Sequence, residues 1–185
     1  EIAYTLNRQF GEGGLYRGAA LYNFADNHDV DRVASILREP AHLYPLYCLL
    51  FTMPGVPSLY YGSEWGIAGR KADGSDKALR PSLELERAAR VSRHRELPSA
   101  IARLARVRAA SPALRRGDYR QLFVSPEQLA FERRCGEETA VVAVNAAGRP
   151  AELDLPAPGG AAPAGAAAAE FADLLNGGWR CEARA

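Results

Sequence analysis

A change of texture at Ser111-Pro112 constrains the fold most. Before it, short apolar runs alternate with stretches of helical spacing. Residues 18–25 form one such run and end in Asp26-Asn27-His28-Asp29. An apolar run without polar alternation fits a strand buried on both faces. Residues 30–37 and 43–53 then read as helical, with Leu43, Leu46, Tyr47, Leu50 and Phe51 on one side of the second. Pro54-Gly55 stops that helix, and residues 56–61 form another apolar run ending at Gly62. The order strand–helix–strand predicts a parallel α/β unit. Residues 63–96 are charged and punctuated by glycine, too long for a structureless loop, and predict a short helix near 81–91. Residues 97–108 predict a further helix, with Pro98 in its first turn and Leu97, Ile101, Leu104 and Val107 on one face.

After Ser111-Pro112 the runs become short and β-like, at 119–124, 129–134, 139–145 and 151–155, separated by Ser125-Pro126, Gly136 and Gly148. Residues 171–175 and 179–182 flank Asn176-Gly177-Gly178 as a hairpin would. Residues 156–169 are rich in Ala, Gly and Pro and read as a surface loop. The fold class expected is therefore α/β followed by all-β, with an α/β part at 1–112 and a small antiparallel β-domain at 113–185.

The charge balance narrows the partners. Lys and Arg number 23 and Asp and Glu 22, for a net charge of +1, whereas nucleic-acid or anionic-membrane binding favours a basic excess. No run approaches the ~18 apolar residues of a transmembrane helix. Cys48, Cys135 and Cys181 are odd in number and far apart, so neither a disulfide framework nor a zinc knuckle is implied. The cysteines fit reduced thiols of a cytoplasmic protein, and no signal-peptide pattern is present, which in a fragment says nothing about export of the parent.

Two segments could carry chemistry. In residues 23–32, polar side chains crowd the C-terminal end of an apolar strand, where active sites of parallel α/β folds sit. A plainer reading stands beside this one: Asp29 caps the following helix and Asp26 closes a turn. A metal pair of His28 and Asp29 lacks a ligand-spaced partner. In residues 54–66, a helix stop, an apolar strand, Tyr60-Tyr61 and Glu64 follow closely, and taken alone they fit turn glycines, a core strand and a loop acid.

Together the segments resemble the α-amylase family of glycoside hydrolases. Asn27-His28-Asp29 resembles the signature at the end of that family's seventh barrel strand, and residues 55–64 resemble its eighth-strand segment. Asp76 and Arg80-Pro81 resemble an Asp…Arg-Pro pair in the following loop of members acting on oligosaccharides. Residues 111–117 resemble the junction between the last barrel helix and a C-terminal β-domain. The resemblance implies the last two β/α units of a (β/α)8 TIM barrel, followed by a small antiparallel β-sandwich domain that ends early. It implies a retaining mechanism on α-glucosidic bonds of α-glucans or maltooligosaccharides, with one Asp as nucleophile, one Glu as acid/base and a second Asp supporting the oxocarbenium-like transition state. Asp29 takes the third role, His28 is a sugar-hydroxyl ligand, and Asp76 and Arg80 are substrate contacts. Asn27 shapes the turn, and for Glu64 a structural and a functional role stay open.

In the family, the nucleophile and the acid/base lie on the fourth and fifth barrel strands, ahead of the matching segments here. This chain is thus expected to be a C-terminal fragment, inactive alone, with open sheet edges that the missing N-terminal part would cover. No cofactor or metal is expected in it; a calcium ion in the parent is compatible with the resemblance but has no support in these residues. Three other readings compete: an α-glucan transglycosylase, a non-catalytic carbohydrate-binding or structural module using Trp179, and a metal-dependent hydrolase built on His28, Asp29 and His42.

Overall fold

The computed structural model describes residues 1–72, 75–156, 169–178 and 180–183. The chain packs as two units. One comprises Tyr22–Phe51 and Val56–Ala105; the other comprises Glu1–Leu21, Thr52–Gly55 and Arg106–Ala185.

In the Tyr22–Phe51 and Val56–Ala105 unit, β1 (Tyr22–Phe24) and β2 (Val56–Ser58) pair in parallel, Tyr22 opposite Val56 and Phe24 opposite Ser58. Parallel strands need a crossover, and α2 (Val33–Ile36) and α3 (Leu43–Thr52) lie between them in the chain. On α3, Leu43, Tyr47, Leu50 and Phe51 are buried at helical spacing, while Leu46 is only half-buried. The strands are shorter than the apolar runs that contain them, and Tyr22, Phe24 and Val56 are exposed rather than buried on both faces. The physical reason is the sheet: among the described residues each strand has only the other beside it.

Helix α2 is also shorter than the expected 30–37. The segment ahead of it bonds elsewhere: Asp29 N donates to Asn27 Oδ1 (2.8 Å), Arg32 N donates to Gly69 O (2.9 Å), and the Asp31 side chain accepts from Lys71 N through Oδ1 (2.6 Å). The expected helix within 81–91 is α4 (Leu85–Val91), and α5 spans Leu97–Ala110. Leu97, Ile101 and Leu104 are buried on α5 as its spacing predicts. The next buried position is Arg108, not Val107, because a period of 3.6 carries the stripe from 97 through 101 and 104 to 108.

The other unit begins with α1 (Ile2–Phe10), which buries Leu6 and Phe10 one turn apart. Arg108 donates to Met53 O (3.2 Å) and Gly55 O, and Arg133 donates to Thr52 O and Gly117 O. Burial pulls the Arg133 pKa down to about 10, with Arg108 nearby acting in the same direction. The short α6 (Pro112–Arg116) has a built N-terminus: Ser111 Oγ accepts from Leu114 N (3.1 Å), and Pro112 sits at the first helical position.

Strands β3 (Asp118–Val124), β4 (Gln128–Cys135) and β5 (Glu138–Asn145) form an antiparallel sheet in that order. β4 is central and buries Leu129 through Arg133; Tyr119 packs on Phe131 with ring centroids 5.1 Å apart. Residues 151–155 form no strand, against expectation. After β5, Asn145 turns the chain out of the ladder, its Nδ2 donating to Arg149 O (2.7 Å) and its Oδ1 accepting from Ala147 N (2.9 Å). β6 (Ala169–Ala172) and β7 (Arg180–Ala183) pair antiparallel. Asp173 Oδ1 accepts from Leu175 N (2.7 Å) and Asn176 N (2.9 Å), which ends β6 before the expected 171–175 run does. Most of the expected loop at 156–169, and Trp179, lie outside the described residues. Among the described residues no helix is long and apolar enough to cross a membrane.

Candidate active site

Because β1 and β2 run parallel, their C-terminal ends open on the same side, and the segments that follow them meet there. Asp26, two residues past β1, is 2% exposed. Its Oδ2 accepts from Val33 N (2.9 Å), and Ser63 Oγ donates to both carboxylate oxygens (2.8 and 2.9 Å). Asp26 therefore satisfies the first turn of α2, the capping role that Asp29 could have filled. Arg32 is 0% exposed and donates to Leu79 O (3.1 Å), Tyr61 O (2.8 Å) and Ser63 Oγ (3.1 Å), with its guanidinium 4.1 Å over the Tyr60 ring. Tyr47 Oη donates to Ser63 O (3.4 Å), and burial first, then the Asp26 charge, pushes the Tyr47 phenol well above its ordinary range.

Above this buried layer the four residues singled out in the sequence lie together. Asp29 has a side chain 58% exposed. Its Oδ2 is 3.2 Å from His28 Nε2, and its Oδ1 accepts from Arg80 Nη2 (3.2 Å). The same Arg80 nitrogen donates to Asp76 Oδ2 (3.1 Å), and Arg80 Nε donates to His28 O (3.3 Å). Lys71 Nζ stands 3.7 Å from Asp76 Oδ1. Asn27 accepts the Asp29 amide in an Asx turn, which aims the next residues outward. The result is a carboxylate held from both sides by donors yet open to solvent, able to accept charge-assisted hydrogen bonds from hydroxyls. The Tyr60 and His28 rings lie 6.4 Å apart, and Tyr61 Oη donates to Pro81 O (3.0 Å).

Glu64 is half-buried, and its Oε2 is enclosed without a hydrogen-bond partner. Among the described residues no three His, Cys, Asp or Glu side chains converge where a metal could sit, so His42 does not join His28 and Asp29. Arg32 and Ser63 were inside the motif segments but had no expected role, and Lys71 had none either. Nothing in their spacing reports a contact with residues 30 to 50 positions away.

Known proteins are similar to this chain in sequence and fold. The family model Alpha amylase, catalytic domain matches residues 14–117, and the model Neopullulanase-like, C-terminal domain matches residues 119–183. A cyclomaltodextrin glucanotransferase of Niallia circulans is 32% identical over 122 residues, covering 66% of this chain and 16% of that protein. An alpha-amylase of the same organism is 31% identical over 122 residues, covering 66% of this chain and 21% of that protein. The chain thus spans only these small shares, 16% and 21%, of the length of the curated relatives it matches. Among solved structures, an Anoxybacillus alpha-amylase superposes with a TM-score of 0.68 at 27% identity, over 89% of this chain and 34% of that one. A maltogenic amylase from S. marinus gives a TM-score of 0.61 at 26% identity, over 72% and 18%. With the catalytic-domain model covering more than half of its residues, this chain belongs to the alpha-amylase family.

Proposed function

We propose that this chain supplies the sugar-holding, transition-state-stabilising side of a retaining glycoside hydrolase site that cleaves α-glucosidic bonds in α-glucans or maltooligosaccharides. In this reading the barrel part runs to residue 112 and the β-domain from 113. The nucleophilic Asp and the acid/base Glu come from a segment outside these residues, so the chain by itself does not turn over substrate. Asp29 accepts hydrogen bonds from sugar hydroxyls and opposes the positive charge that develops at the anomeric centre. His28 donates to a hydroxyl of the same sugar, and Asp76 and Arg80 contact the substrate beside it. One observation carries the reading. Asp29 is open to solvent while its two oxygens face His28 and Arg80, and the helix-capping work is done by Asp26.

The decisive variant is Asp29→Asn in the enzyme that carries this chain. It keeps the shape and removes the charge. Turnover of maltoheptaose is expected to fall by about 100-fold or more, with KM changed by less than about threefold. Unchanged turnover would overturn the assignment. Transfer to another sugar uses the same covalent intermediate, and the similarity to cyclomaltodextrin glucanotransferases favours it as a second reading. Maltoheptaose products separate the two: cyclic or longer oligosaccharides mean transfer, and only shorter linear ones mean hydrolysis.

A further inference from the structure

Arg32 is fully buried, and among the described residues no carboxylate oxygen forms an ion pair with its guanidinium. Ser63 Oγ bridges it to Asp26, accepting from Arg32 and donating to Asp26. Among the described residues, Nη2 is enclosed with no hydrogen-bond partner. A buried cation in such surroundings is a poor source of stability compared with an apolar residue of similar size. What it provides is geometry. Its fork ties its own segment to two other stretches of chain, 60–63 and 79. Nε holds the carbonyl of Leu79, the residue before Arg80. Nη1 holds Tyr61 O and Ser63 Oγ, just beyond β2. The ring of Tyr60, stacked under the guanidinium at 4.1 Å, lies beside His28. The backbone of Arg32 is itself three residues from Asp29 and is anchored to Gly69 O (2.9 Å).

We propose that Arg32 is a positioning residue: its planar guanidinium sets the separation of Asp29, His28 and Arg80, and its shape rather than its charge governs turnover. The proposal rests on the reading that Asp29 acts on a bound sugar. A lysine keeps the charge but offers no planar fork, so it cannot hold a Leu79 carbonyl and a Tyr61 carbonyl at fixed angles at once.

The test compares Arg32→Lys, Ser63→Ala and Asp29→Asn in the enzyme that carries this chain, with maltoheptaose as substrate. Turnover is divided by the folded fraction read from thermal unfolding of each variant. Arg32→Lys is expected to lower kcat about tenfold or more while KM moves by less than about threefold, as misplacement of a catalytic group does. Should Arg32→Lys fail to fold at the assay temperature, Ser63→Ala carries the test. It removes one acceptor of the fork and keeps the cation, and a kcat loss of about threefold or more at unchanged KM is expected. Wild-type turnover per folded molecule in the folded Arg32→Lys protein, or in Ser63→Ala if only that variant folds, overturns the proposal. If Asp29→Asn is inactive while those variants are wild-type, the inference alone fails; if Asp29→Asn is fully active, the underlying reading fails.

Discussion

Two residues separate Asp26 from Asp29, and burial gives the two acids different chemistry. Asp26 spends its lone pairs on Val33 N and Ser63 Oγ inside the fold, whereas Asp29 keeps its carboxylate in solvent between His28 and Arg80. The pattern Asp-Asn-His-Asp does not say which acid caps and which is open to solvent, because Asp29 adjoins the expected helix start while Asp26 reaches Val33 N from seven residues upstream. The same blindness applies to Tyr119. It begins a β-like run and is buried against Phe131, but among the described residues its hydroxyl finds no partner. Burial raises the Tyr119 phenol to about 12. A folded-state value above the unfolded one of ~10 means that the fold favours the neutral phenol. The contribution is complete below pH ~10 and is lost as pH rises towards 12. Tyr119→Phe is therefore expected to stabilise the protein by about 1 kcal/mol near neutrality, by removing an unpaired buried hydroxyl. It should also flatten the fall in stability above pH ~10. Urea unfolding at pH 7 and at alkaline pH measures both; a variant that is less stable at pH 7 would show that the hydroxyl has a partner.

At the scale of elements, helices with strong periodicity are legible and strands are legible only in part. α3 and α5 follow their spacing because their own side chains settle which face is inside. The lengths of α2 and β1 do not, since they depend on hydrogen bonds from distant segments. The strap at 69–71 is the clearest case. Gly69 O accepts from Arg32 N, Gly69 N donates to Ser35 Oγ (2.8 Å), and Lys71 N donates to Asp31 Oδ1. A Cβ at Gly69 would sit 2.2 Å from Ala78 O and 3.2 Å from Arg32 Cγ, so only glycine lets these backbones approach. Gly69→Ala is expected to cost about 1–3 kcal/mol through the forced backbone shift. On the proposed reading of Asp29, it should also lower maltoheptaose turnover in the enzyme that carries this chain, with KM little changed, since the strap holds the loop bearing Asp29. Thermal unfolding and steady-state kinetics with maltoheptaose check the two effects; an unchanged Tm would mean that the strap yields freely.

For the molecule as a whole, what stands out is apolar surface left uncovered on a parallel pair. Tyr22, Phe24 and Val56 are all exposed on β1 and β2. Parallel strands are ordinarily covered on both faces, and such surface promotes association. Taken by itself, the 185-residue chain is expected to self-associate with rising concentration, and replacing Tyr22 and Val56 by Thr should reduce this. Sedimentation velocity over a concentration series reads the difference. Identical behaviour of the two proteins would exclude the strands as the contact.

Sequence by itself determined the family, the α/β-then-β order and the principal helices, and it singled out Asp29, His28, Asp76 and Arg80, which the fold brings together. Those follow from local spacing and from motifs that are contiguous in the chain. Tertiary structure alone decided that Asp26 rather than Asp29 caps α2, and that Arg32 lies buried beneath the site on Leu79, Tyr61 and Ser63. It likewise decided that residues 151–155 leave the sheet. These outcomes turn on which distant backbone groups reach a given side chain and on how much water is excluded there, and neither quantity is set by the residue's immediate neighbours in the chain.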